Sequence, residues 1–96
     1  MNVPVFICDD LDELRAPAAP GAIEYRRRLD GSLGGIAFIC PCGCGSESYL
    51  PMRGFGHPQE WSWDGNRDAP TLTPSVQQVG GCGWHGWLRA GEWVTC

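Results

Sequence analysis

The sequence predicts a small, mostly β, loop-rich domain with at most one or two short helical turns. Three observations predict it. The apolar runs are short, and several alternate at period two as half-buried strands do. Fourteen Gly and eight Pro punctuate the 96 residues, too closely for a helix of more than about two turns. Leu, Ile, Val and Phe make up about a fifth of the chain, the lean edge for a globular protein, whereas five Trp argue against disorder.

Residues 3–8 read as one strand, with Pro4 at an edge position because it lacks an N–H. Asp9, Asp10, Asp12 and Glu13 around Leu11 and Leu14 suit a single helical turn, with acids where the dipole favours them. Residues 16–22, rich in Ala and Pro, form a linker. Residues 23–29 read as a strand with one charged face, and Asp30-Gly31 opens a turn into a longer loop. Residues 36–40 form an apolar strand, 48–52 its return, and 54–58 a loop. Trp61 and Trp63 share one strand face. Asp64-Gly65-Asn66 turns the chain, and 70–76, interrupted by two prolines, fits an extended edge segment. After Gly80-Gly81, strands 84–88 and 93–95 make a closing hairpin.

A length of 96 residues is one domain, 1–96. With a net charge of −4 and no lysine, direct nucleic-acid binding is not expected. No apolar run approaches the ~18 residues of a membrane span. The opening MNVPVFICDD lacks the basic start of an export signal. The cytoplasm is therefore the expected location, where thiols stay reduced.

Cysteines stand at 8, 40, 42, 44, 82 and 96. The spacing CPCGCG suits convergence on one ion better than disulfides between near neighbours, whose Cα atoms must sit ~4.4–6.8 Å apart in a particular orientation. Cys40, Cys42 and Cys44 form one group, and Cys82 with His85 another. That is one candidate too many for a tetrahedral site. The favoured set is Cys42, Cys44, Cys82 and His85, with Cys40 as alternate ligand. Because a regular strand points positions 82 and 85 to opposite faces, His85 can join only from a tight turn. Thiolate-rich ligands select zinc, with iron left open. One structural zinc ion, bound by residues 36–96, would reinforce the lean core, and residues 1–30 read as an N-terminal extension with its own strands. Cys8 and Cys96 read as packing or terminal thiols, and His57 as solvated.

The five Trp are expected to fill the core, with Trp84 the most exposed. Trp84 and Trp87, together with Arg26, Arg27 and Arg28, are candidate partner contacts. Against this, Glu24 and Asp30 flank the arginines, as in an ordinary solvated run. Thr71, Thr73 and Ser75 read as bonded hydroxyls of an edge segment. No Ser–His–Asp arrangement follows from the sequence, and a nucleophilic Cys would lack a base, because the only nearby His is assigned to the metal.

CPCGCG (40–45), the Trp-rich strand (61–63), PTLTPSV (70–76) and CGWHGWLRAGEWV (82–94) together resemble a family of small metal-binding proteins of unknown function. Its members are encoded by phages and prophages and beside bacterial ubiquitin-like conjugation genes. The resemblance covers roughly residues 36–95. It implies a zinc site on the Cys cluster with Cys82 and His85, and no established activity. Where relatives carry Ser before the His and Phe or Tyr after it, this chain has Trp84 and Gly86. The expected function is a non-enzymatic zinc module that binds a host or pathway protein. One form is a phage-encoded inhibitor of a host defence complex, of anti-CRISPR type, acting in the host cytoplasm. The alternatives are an accessory factor or thiol/metal enzyme of a ubiquitin-like conjugation pathway, and a nucleic-acid-binding zinc module.

Overall fold

The computed structural model describes residues 2–54, 56–78 and 82–96. Among the described residues, ten short strands and one helical turn follow in order: β1 (Asn2–Pro4), β2 (Phe6–Cys8), α1 (Leu11–Arg15), β3 (Ala22–Arg27), β4 (Leu33–Ile39), β5 (Glu47–Pro51), β6 (Ser62–Trp63), β7 (Leu72–Thr73), β8 (Val76–Gln77), β9 (His85–Arg89) and β10 (Glu92–Thr95). They build two four-stranded sheets, ordered β1-β10-β9-β8 and β2-β3-β4-β5, and a small β6-β7 pair. The mostly β, nearly helix-free architecture is the one the sequence predicts. No helix among the described residues is long and apolar enough to cross a membrane.

The expected single strand over 3–8 is two strands in different sheets. β1 pairs antiparallel with β10, whereas β2 runs parallel to β3. Between them the Val5 N–H donates to the Gly91 carbonyl, so the chain changes sheets without losing a hydrogen bond. The first thirty residues thus contribute β1 to one sheet and β2 and β3 to the other, with α1 between β2 and β3.

The acidic turn is helical as expected. Asp10 caps it by accepting from the Glu13 N–H at 2.8 Å, and Glu13 reaches back to the Asp9 N–H at 3.1 Å, a reciprocal capping pair. Its purpose in packing is Leu14, which is fully buried. β4 supplies both layers of the interior because its side chains alternate. Ile36, Phe38 and Cys40 face the β1-β10-β9-β8 sheet, while Ala37 and Ile39 pack with Leu14, Cys8 and Ala22 under α1. β4 begins at Leu33, earlier than expected, and includes Gly34 and Gly35. At Gly35 the hydroxyl end of the Tyr49 ring lies where a Cβ would stand, so the tyrosine rests directly on the glycine.

Trp93 lies at the centre. It is fully buried, its ring centroid is 4.8 Å from Phe38 and 5.7 Å from Trp84, and its Nε1 donates to the Gly21 carbonyl at 3.0 Å. Trp93→Ala removes that packing and leaves the carbonyl without its donor. The expected cost is about 3–5 kcal/mol, read as a lower urea midpoint. An unchanged midpoint would contradict this core.

The closing hairpin forms as expected, turning through Ala90 and Gly91 at φ 48° and 78°. Two positive φ values in succession give the turn type whose twist matches the strands. The 70–76 segment divides at Pro74 into β7 and β8, and β8 is an edge strand.

Candidate metal centre and active site

Cys40 directly follows β4, with its side chain fully buried. The chain then loops back, with the Cys40 N–H donating to the Ser46 carbonyl at 2.8 Å and the Gly43 N–H to the Cys40 carbonyl at 3.3 Å. Gly43 and Gly45 take φ of 94° and 82°, which curls Cys42 and Cys44 back over Cys40. Cys82 arrives from the other sheet. The sulfurs of Cys40, Cys42, Cys44 and Cys82 all lie within 4.8 Å of one another. Cys40–Cys42, Cys40–Cys82 and Cys42–Cys82 stand at 3.3, 3.4 and 3.2 Å. All six cysteines are free thiols.

The donor set fits one structural zinc ion: four soft sulfurs, converging from two loops, with no place left for water. Burial pushes the Cys40 thiol up to about 12. Contact with the Cys82 sulfur holds Cys42 above its usual value, and the Ser46 hydroxyl draws Cys44 down to about 6. A buried amide stands behind the cluster. Gln78 Oε1 accepts from Ser48 Oγ at 2.6 Å, while its Nε2 has no hydrogen-bond partner. A metal thiolate at Cys40 would give that unpartnered amide an acceptor.

Cys42, Cys44 and Cys82 of the favoured ligand set are together, but the fourth sulfur is that of the alternate, Cys40. His85 is elsewhere. It opens β9 as a regular strand residue, and in that conformation it diverges from Cys82. Glycines 80 and 81 of the expected chelating turn lie outside the described residues.

His85 Nε2 instead meets Ser75 Oγ at 3.0 Å. The register explains the meeting. Gln77 of β8 pairs with His85 of β9, and Ser75, two residues back on the same face, is the diagonal neighbour, within reach of a long side chain. The buried Val76 between them anchors the strand. Trp61 Nε1 holds the Ser75 carbonyl at 3.3 Å. The pair sits in an open hollow of about 280 Å3, lined also by Gln59, Trp61, Pro74 and Gln77. When Ser75 donates its proton, Nε2 is the bare nitrogen and Nδ1 carries hydrogen.

The remaining candidates are mostly engaged within the fold. Trp84, expected to be the most exposed Trp, is buried, with its Nε1 on Thr95 Oγ1 at 3.1 Å. Trp87 is half-buried under the Arg89 guanidinium, 4.4 Å from the ring centroid. Arg26 pairs with Glu24 at 3.0 Å, Arg27 donates to the Gly31 carbonyl at 3.0 Å, and Arg28 donates to the carbonyls of Met52 and Arg53, both at 3.3 Å. Gly86 follows from Trp84: a Cβ there would strike the Trp84 ring and the Val94 carbonyl oxygen. Gly86→Ala is expected to cost about 1–3 kcal/mol by overpacking. A melting temperature lowered by several degrees would show it.

The Ser75–His85 pair escaped the sequence reading because His85 was assigned to the metal. The signal was the surplus ligand. With Cys40 in the site, the only His in that region is released, ten residues beyond a Ser on a neighbouring edge segment.

The searches of curated proteins and of solved structures each found no match. A family model described as "bacterial ubiquitination-like system serine protease (BubE)" matches residues 10–96, reaching well before the 36–95 stretch of the resemblance. It agrees with the ubiquitin-like alternative and lends nothing to the phage inhibitor. It also overturns the expectation of a non-enzymatic module, because the family is named for a hydrolytic activity. That expectation rests on a filled ligand set that includes His85, whereas His85 stands apart from the thiol cluster. With nearly the whole chain matched, the protein belongs to the BubE family of bacterial ubiquitination-like system serine proteases.

Proposed function

We propose that the chain hydrolyses a peptide bond in a protein of a bacterial ubiquitination-like system, with Ser75 as nucleophile and His85 as general base. The observation that carries this reading is the 3.0 Å contact of Ser75 Oγ with His85 Nε2 in an open hollow. Ser75 Oγ attacks the scissile carbonyl carbon while its proton passes to Nε2. The carbon–nitrogen bond then breaks, and the leaving amine takes that proton. Water hydrolyses the resulting ester on Ser75, with His85 again taking and returning a proton. Gln59 and Gln77 border the hollow, and their amides are the side-chain donors available for the developing oxyanion.

The thiol cluster has a different task. Four protein ligands give zinc no open position for catalysis. What the ion supplies is a cross-link between the end of β4 and residue 82, three residues before His85. That fixes where β9 starts and hence where its first side chain lies.

The test is covalent capture. A fluorophosphonate probe is expected to add once per chain, on Ser75, and to add nothing to Ser75→Ala. Labelling elsewhere, or none on zinc-loaded folded protein, removes the proposal.

A further inference from the structure

We infer that the substrate binds as an extended peptide that adds a strand to the open edge of β8, pairing with the backbone of Gln77. This rests on the assignment of Ser75 and His85 above, and it names the form in which substrate reaches them.

The hydrogen-bond register carries the inference. The Gln78 N–H donates to the Trp84 carbonyl at 2.8 Å, and the Cα partners Val76–Gly86 and Gln77–His85 place all of these in one antiparallel ladder. Hydrogen-bonded and non-bonded pairs alternate in such a ladder. Residues 76 and 78 therefore direct their backbone groups toward β9, and residue 77 directs its N–H and C=O away. The other side of β9 agrees: the His85 carbonyl accepts from the Cys96 N–H at 3.0 Å and so faces β10. β8 ends its sheet, Gln77 is exposed, and among the described residues neither outward backbone group of Gln77 has a partner.

An edge donor and acceptor on one residue recognise any extended backbone, independent of side chains. What makes this edge a substrate site is its position. Ser75 lies two residues, about 6.6 Å, along the same strand. There the edge is closed, because the outward carbonyl of Ser75 is already held by Trp61 Nε1. A peptide paired at Gln77 cannot continue beside Ser75 and must pass over the hollow, across the face that carries Ser75 Oγ and His85 Nε2. The pairing so delivers a carbonyl to the nucleophile. The substrate class is an extended, unpaired segment such as a chain terminus or linker, not a helix or a folded surface.

The probes are acetyl-Ala-Ala-Ala diphenyl phosphonate, its three singly N-methylated forms, and the acetyl single-residue phosphonate. In each, Ser75 Oγ displaces phenoxide from phosphorus. The tripeptide is expected to label Ser75 at least tenfold faster than the single-residue probe. N-methylation at one position, the residue whose N–H reaches the Gln77 carbonyl, should slow labelling about tenfold, as expected for one lost hydrogen bond to an acceptor that the bound peptide covers. Methylation of the adjacent residue should change it less than threefold, because its N–H points the other way. This alternation holds for either direction of the peptide. Equal effects at all positions, or no gain with length, overturn the edge pairing while leaving Ser75 as nucleophile. Failure of the simple fluorophosphonate to label Ser75 removes the parent reading, and this inference with it.

Discussion

His85→Ala is expected to remove nearly all hydrolysis of a generic ester such as p-nitrophenyl acetate, and so is Ser75→Ala. Each is expected to lower kcat/KM by a factor of about 10³ or more, and the double variant should be no worse than either single one. Groups that act as a unit lose their function once. Additive losses would mean that the two residues, 3.0 Å apart, contribute separately. The same variants separate two roles for the histidine. As a base, His85 can be removed without changing the zinc content. As the fourth metal ligand, its removal would take the ion with it. Elemental analysis of His85→Ala is expected to return one zinc per chain, and any marked fall would restore the histidine to the metal site.

Cys40→Ser has the opposite signature. Zinc bound by thiolates contributes of order 10 kcal/mol to folding, comparable with the whole stability of an ordinary domain, about 5–15 kcal/mol. Cys40 is fully buried, so an empty Cys40→Ser chain is expected to lose both its ion and its cooperative melt. Cys8→Ser and Cys96→Ser lie outside the cluster and should keep full zinc occupancy. Retention of one zinc by Cys40→Ser would remove that thiol from the ligand set. Chelation should become easier as pH falls. Cys40, pushed up to about 12, and Cys42, also raised, both favour the protonated thiol, and acid competes with metal for the same sulfurs. Cys44, drawn down to about 6, stays ionised to lower pH than either. A chelator midpoint that did not move between pH 8 and pH 6 would contradict this.

Much of the fold could be read from period-two patterns and turn residues. The β4 strand, the acidic helical turn and the closing hairpin are strong local signals, because side-chain alternation, an Asp cap and an Ala-Gly turn are decided within a few residues. The split of 3–8 between two sheets was not legible, since it depends on which distant strand each half meets. At the site, the metal chemistry was visible in the cysteine spacing. The choice between Cys40 and His85 was not: it turns on whether residue 85 lies in a strand or in a turn. Ser75 was hidden for a related reason. Its partner is supplied by the register of β8 against β9, and a Ser after a Pro on an extended segment is in itself ordinary.

β10 lies between β1 and β9, so the strand that begins with His85 has its inner neighbour among residues 92–95. Asn2 pairs with Val94, across nearly the whole of the described sequence. Such distant pairing makes for slow assembly. During synthesis, this sheet stays open until residues 92–95 have left the ribosome. The β8–β9 pair that carries Ser75 and His85 is therefore made before its inner neighbour, and the sheet around it closes only when β10 and β1 dock.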